Sequence, residues 1–130
     1  MKVLALDYGS ARTGVAVSDP TGTLARPLGV VERASTESGL AELARLVREE
    51  EVERVVVGLP LTLRGARGEQ AAETESFVET LRAAIDVPVE LHDERFTTDL
   101  AQQTAGTSPE DAVAAAHLLS SYLEWCAARS

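Results

Sequence analysis

At 130 residues the chain has the size of one domain with its own core, and 45% apolar with 25% charged residues is the composition of a globular protein. No apolar run approaches the roughly 20 residues of a membrane span. The Met-Lys start lacks a signal peptide's small-residue cleavage site, and the single Cys126 excludes an internal disulfide or a cysteine zinc cluster, so a cytoplasmic chain is expected. The net charge of −9 opposes phosphate binding unless cations are concentrated locally. The acids crowd into helical stretches, at Glu42, Glu49, Glu50, Glu51 and Glu53 and again at Glu69, Glu73, Glu75 and Glu79. Arg12, Arg26, Arg64, Arg67 and Arg95 lie instead near strand ends.

The chain opens with two β-rich runs, Val3–Leu6 and Val15–Val17, around a polar turn containing Gly9 and Gly14. This predicts a hairpin in which glycine supplies a positive φ. Leu24–Val31 continues as a strand placed at an edge by Pro27. Ser35 and Thr36 are N-cap candidates for a helix over 37–50 that buries Leu40, Leu43, Ala44 and Val47. Val55-Val56-Val57 is a buried strand ending at Gly58-Leu59-Pro60, followed by the loop Leu61–Gly68 with Arg64 and Arg67. A helix over 69–85 carries Ala71, Thr74, Val78, Leu81 and Ile85 on one face, and Val87–Leu91 is the fifth strand. Thr97–Ala105 reads as a short helix, and Ser108-Pro109-Glu110-Asp111 starts the last one, which runs to about Ala127 and buries Ala112, Ala116, Leu119, Leu123 and Cys126.

Short turns join the first three strands, so they are antiparallel, while helical crossovers make the later strands parallel and right-handed. The expected fold is one α/β domain over residues 1–130. Its mixed five-stranded sheet has strands 1–3 antiparallel, strands 1, 4 and 5 parallel, and helices on both faces. The fourth strand lies beside the first and the fifth beyond it.

Ligands of such a sheet gather at the carboxyl ends of its strands. Asp7 ends the first strand, Asp93 and Glu94 end the fifth, and Asp111 joins them if the last helix crosses there. Crowded carboxylates repel unless a hard cation sits among them, and all-oxygen ligation selects Mg²⁺ or Mn²⁺. Two such ions about 3.5–4 Å apart would serve phosphodiester hydrolysis. The competing roles are structural. Asp7 can cap its turn, Asp111 can be a first-turn acid, and Asp93 and Glu94 can be solvated partners of Arg95. His92 is expected to face outward and His117 to lie on a helix face; Cys126, Tyr122 and Trp125 are expected to be packing residues.

Asp7-Tyr8-Gly9-Ser10-Ala11-Arg12-Thr13-Gly14-Val15-Ala16-Val17-Ser18-Asp19 resembles the opening motif of the YqgF/RuvX family, proposed Holliday junction resolvases also described as pre-16S rRNA nucleases. Matches continue in the family's order at Ala25-Arg26-Pro27-Leu28, at Val57-Gly58-Leu59-Pro60-Leu61 with Gly65 and Gly68, and at Leu91-His92-Asp93-Glu94-Arg95-Phe96-Thr97-Thr98. The last is Asp111 with Ala114, Ala115, Leu118, Leu119, Tyr122 and Leu123. The resemblance implies a ribonuclease H-like fold and a divalent-metal nuclease whose catalytic acids and metal ligands are Asp7, Glu94 and Asp111. Arg12, Arg64, Arg67 and Arg95 are the expected phosphate contacts, structured RNA is the favoured partner with branched DNA the alternative, and a homodimer is allowed. The chain departs from the family between Asp99 and Glu110, where a longer Lys/Arg-rich stretch is usual and no basic residue stands here.

Two other classes compete. Asp-x-Gly-Ser followed by Thr-Gly also opens the phosphate hairpin of actin- and hexokinase-like ATPases, but those need two lobes, and 130 residues supply one. A non-catalytic interaction module of the same fold would account for the acidic surface.

Overall fold

A computed structural model describes residues 1–60, 68–93 and 110–129, the side chains of residues 110, 111 and 129 excepted. The described strands are β1 (Val3–Asp7), β2 (Arg12–Ser18), β3 (Ala25–Glu32), β4 (Arg54–Leu59) and β5 (Val89–Asp93), and the helices are α1 (Glu37–Glu49), α2 (Glu69–Ala84) and α3 (Glu110–Arg129). One sheet contains all five strands in the order β3-β2-β1-β4-β5. β1 runs antiparallel to β2 and parallel to β4, and β4 runs parallel to β5. The mixed topology expected from connection lengths is the one observed.

Strand alternation divides the core in two. Leu4, Leu6, Val15, Val17, Val55 and Val57 point to one face and pack with Leu43, Val47, Phe77, Val78 and Leu81 of α1 and α2. Val3, Ala5, Ala16 and Val56 point to the other and pack under Ala115, Leu118, Leu119, Tyr122 and Leu123 of α3. The α3 stripe is thus centred one position away from the expected one: Ala116 and Cys126 are only partly buried, and Ala115, Leu118 and Tyr122 take the central places. α1 is capped by Thr36, whose side chain accepts from the Gly39 N–H at 3.2 Å. No described helix is long and apolar enough to cross a membrane.

Three local expectations change. The fifth strand starts at Val89 and ends at Asp93. Pro88 accepts from the Val55 N–H at 2.9 Å but has no N–H to return, so the regular ladder starts one residue later. His92 is not outward but 5% exposed, because Tyr122 and Trp125 of α3 cover its side of the strand. The turn after β1 uses no positive φ at Gly9, since Gly22 is the one glycine among the described residues in that region. Gly9 is required by close approach instead, because a Cβ there would lie 2.4 Å from the Arg12 carbonyl oxygen. The short helix expected over Thr97–Ala105, and the Ser108-Pro109 start of the last helix, lie outside the described residues.

Candidate active site at the carboxyl ends of the central strands

Asp7 is the last residue of β1 and is half-buried after four fully buried apolar positions. It shares a face with Val3 and Ala5, the face that α3 covers. Directly opposite on β2 is Gly14. On the other side β1 and β4 pair in register from Val3↔Arg54 to Leu6↔Val57, and the next step sets Gly58 beside Asp7. Gly58 in turn pairs with His92 of β5. One cross-sheet row therefore reads Gly14, Asp7, Gly58, His92, and Asp7 has no side chain beside it in either flanking strand.

The turn that follows holds Asp7 in place. Tyr8 stacks on Phe77 of α2, with ring centroids 4.3 Å apart. The buried Thr13 hydroxyl accepts from the Gly9 N–H and donates to the Gly9 carbonyl, both at 3.4 Å. Asp7, Tyr8, Gly9, Ser10 and Pro60 line a cleft of about 230 Å³ whose far wall is Gln70, Glu73 and Thr74 of α2. Glu73 is thus a second acid on the cleft that holds Asp7. In the sequence it is one of several acids on an exposed helix, and nothing local sets it apart.

At the far end of the row His92 packs edge-on against Tyr122 and Trp125, with centroids at 5.5 and 5.9 Å. Its Nε2 lies 3.3 Å from the Ser121 hydroxyl. Burial lowers its pKa against the opposing pull of Asp93 and Glu90, which favours the neutral ring. Tyr122 is the anchor between α3 and this edge of the sheet. Its hydroxyl accepts from Arg54 at 2.9 Å and donates to Glu90 at 2.7 Å, and the Arg54–Glu90 ion pair closes the triangle at 3.3 Å. Burial raises the Tyr122 pKa, with Arg54 pulling the other way, so the phenol stays protonated.

The expected site residues fall into three groups. Asp7 stands where the sequence reading put it. Arg12 is exposed at the start of β2, two residues from Gly14 and on the same face. Asp93 pairs with Leu59 and so belongs to the opposite face, away from Asp7. Asp111 is in the first turn of α3, the helix covering Asp7's face, but its side chain is outside the described residues, as are Glu94, Arg64, Arg67 and Arg95. Among the described residues no three His, Cys, Asp or Glu side chains are grouped to hold a metal ion. What the described part offers such an ion is a hard oxygen donor at a strand end, with glycines as its neighbours in the flanking strands. That fits a cation of the Mg²⁺ or Mn²⁺ type, which retains several waters and needs room for them.

A family model described as "RuvX: Holliday junction resolvase" matches residues 1–125. A Chloroflexus aurantiacus protein named "Putative pre-16S rRNA nuclease" is 44% identical over 131 residues, covering 94% of this chain and 86% of its own. A Chloroflexus aggregans protein of the same name is also 44% identical, covering 94% of this chain and 92% of its own. Among solved structures, Thermus thermophilus RuvC in complex with Holliday junction substrate superposes with a TM-score of 0.63 at 20% identity, over 97% of this chain and 96% of that one. At that identity the likeness is one of fold: the ribonuclease H-like architecture that the family resemblance implies.

Proposed function

The chain belongs to the RuvX family, and from that premise we propose that it is a divalent-metal-dependent nuclease that hydrolyses phosphodiester bonds in structured RNA, with the 5′ end of pre-16S rRNA as its substrate. The observation that carries this reading is the position of Asp7: a carboxylate at the end of a buried central strand, with Gly14 and Gly58 beside it and a cleft at its rim. Asp7, Glu94 and Asp111 hold the cation. Strand alternation turns Asp93 to the other face, which supports the choice of Glu94 that the family resemblance implies. When bound, Mg²⁺ or Mn²⁺ supplies the Lewis acidity and charge neutralisation that phosphodiester hydrolysis requires. Arg12, Arg64, Arg67 and Arg95 are the residues that contact phosphate oxygens, a task suited to guanidinium forks. Such a substrate places the protein in the cytoplasm.

The name carried by the 44% identical relatives favours RNA, and the family description favours branched DNA. One experiment separates them. A labelled pre-16S leader and a four-way DNA junction are incubated with the protein and Mn²⁺, each with and without EDTA. Chelator-sensitive cleavage of the RNA, and little of the junction, is expected. Preferential cleavage of the junction makes it a resolvase, and cleavage of neither with the protein folded contradicts the nuclease reading.

A further inference from the structure

We infer that Arg33 is a phosphate-binding residue of the substrate surface, holding the nucleic-acid backbone a few nucleotides away from the bond that is cut. The inference rests on the nuclease reading above and deepens it by giving the substrate a direction, outward from Asp7 over β2 toward β3. Each of β2 and β3 runs antiparallel to the strand before it. The start of β2 and the finish of β3 therefore lie at the end of the sheet where β1 finishes in Asp7. Arg12 of β2 pairs with Glu32, the last residue of β3, and Arg33 comes next in the chain. Two strand spacings, about 10 Å, separate β3 from β1. Arg33 is also tied to the turn that follows Asp7. Its N–H donates to the Ala11 carbonyl at 3.0 Å, and Ala11 adjoins Ser10 on the rim of the Asp7 cleft.

Two properties of Arg33 point to an external anion. Its backbone is left-handed, with φ at 48°, a conformation that glycine and asparagine adopt readily and arginine only at a cost. The surroundings enforce it whatever the side chain. The Arg33 carbonyl accepts from the Thr36 N–H at 3.0 Å and from the Thr36 hydroxyl at 2.7 Å. α1 packs so closely there that a Cβ on Gly39 would collide with the same oxygen. A glycine at position 33 would close this turn without strain, so what arginine adds is its side chain. That side chain is exposed, and no carboxylate among the described residues pairs with it. Acids outnumber Lys and Arg by 21 to 12, and Arg26, Arg45, Arg54 and Arg82 each lie against a glutamate. Arg48 complements the carbonyl end of α1 from its last turn. Arg33 has neither role, although Glu32 precedes it. A guanidinium left uncompensated at the Asp7 end of an acidic protein suits a phosphate from outside. The other non-glycine residue with such a backbone, Glu51 at φ 53°, lies at the opposite end of the sheet, where α1 leads into β4. Conformation alone therefore marks no site; the place in the sheet and the uncompensated charge do.

The test is filter binding of the labelled pre-16S leader at several salt concentrations in EDTA, so that the metal takes no part. Arg33→Asn and Arg33→Gly remove the charge and suit the left-handed backbone, Arg33→Lys keeps the charge, and Glu51→Gly is the control for backbone strain. The first two variants are expected to bind the leader several-fold more weakly. Their slope of log affinity against log salt should be shallower by about one unit, the signature of one lost phosphate contact. Their thermal midpoints should equal or exceed the parent's, Arg33→Lys should keep the parent's slope, and Glu51→Gly should bind as the parent does. Parental slopes and affinities in both Arg33→Asn and Arg33→Gly overturn the inference. So does an equal loss in Arg33→Lys or in Glu51→Gly, because backbone shape and not charge is then responsible. Lowered midpoints in both Arg33→Asn and Arg33→Gly overturn it too, since the arginine is then a structural part of its turn. A parent chain that does not bind the leader contradicts the nuclease reading itself, and this inference with it, whereas binding by parent and variants alike contradicts this inference alone.

Discussion

The two faces of the sheet are built to different rules. The α1/α2 face is filled with branched and aromatic side chains along the whole length of β1, β2 and β4, so Leu4, Leu6, Val15, Val17, Val55, Val57 and Phe77 form one closed core. The α3 face begins the same way at Val3 but thins to alanine, then to glycine around Asp7, and crosses to a polar edge at Glu90 and His92. Leu6 and Asp7 are adjacent in sequence and lie on opposite faces: one closes a core and the other stands at the proposed site. Stability and chemistry are thereby separated across one layer of backbone, and substitutions on either face should report on one property more than the other.

The sharpest way to break that separation is Leu6→Ala. Leu6 is 1% exposed, and deleting such a side chain costs about 2–5 kcal/mol. Urea denaturation should show the loss, while the folded fraction keeps the parent's Mn²⁺ affinity. A proportional loss of affinity would mean that the faces are coupled. Tyr122→Phe probes the polar edge with a smaller change. The ring stays buried while the bonds to Arg54 and Glu90 disappear, for an expected cost of about 1–2 kcal/mol in the same denaturation measurement. A neutral result would show that the Arg54–Glu90 pair alone holds that edge.

Substrate grip gives a third comparison, between the arginine-bearing ends of the strands and the stretch Asp99–Glu110, which contains no basic residue. Exposed charges act over about 8 Å at physiological ionic strength, so the acidic helix faces matter less than charges at the site. Lysines grafted between Thr104 and Ser108 should tighten RNA binding and steepen its salt dependence by about one unit of slope for each lysine that reaches a phosphate. Filter binding at several salt concentrations reads this out, and equal slopes would exclude the stretch from the interface.

The smallest effect belongs to Asp19 in the β2–β3 turn, far from either core. The Thr21 hydroxyl, then the N–H groups of Leu24 and Thr23, hold its pKa down to about 2. Because the folded value lies below the unfolded one, its contribution is complete above about pH 4 and is lost as the pH falls through about 2. Asp19→Asn should flatten the stability–pH curve in that window, lying slightly below the parent above about pH 4 and converging with it as the pH falls through about 2, as followed by thermal midpoints.

Much of this was legible in the sequence because it depends on local chemistry. The strand order follows from which connections are short turns and which are helices, and Asp7 announces itself as the acid that ends an apolar strand. Thr36 caps α1 as its side chain suggests. What was not legible depends on register. That Gly14 and Gly58 flank Asp7, and that His92 ends their row, follows from pairings between segments about fifty residues apart or fewer, which no spacing rule reveals. The burial of His92 depends on tertiary packing for the same reason: its side of the edge strand is covered by α3, whose Tyr122 and Trp125 pack against the ring. Gly9 was recognised as a turn residue on the wrong ground, because a clash with the Arg12 carbonyl is a matter of two peptides meeting and not of φ.

The central claim is that Asp7 binds the cation on which cleavage depends, and Asp7→Asn tests it most directly when Mn²⁺ affinity and single-turnover cleavage of the pre-16S leader are measured on one preparation. Removing a carboxylate from a crowded anionic site relieves repulsion, so the metal-free variant should be as stable as the parent or more so. Its Mn²⁺ binding should weaken sharply and its cleavage rate fall about a thousandfold, the equivalent of several kcal/mol of charge stabilisation. A folded Asp7→Asn protein that binds Mn²⁺ and cuts the leader as the parent does would contradict the account.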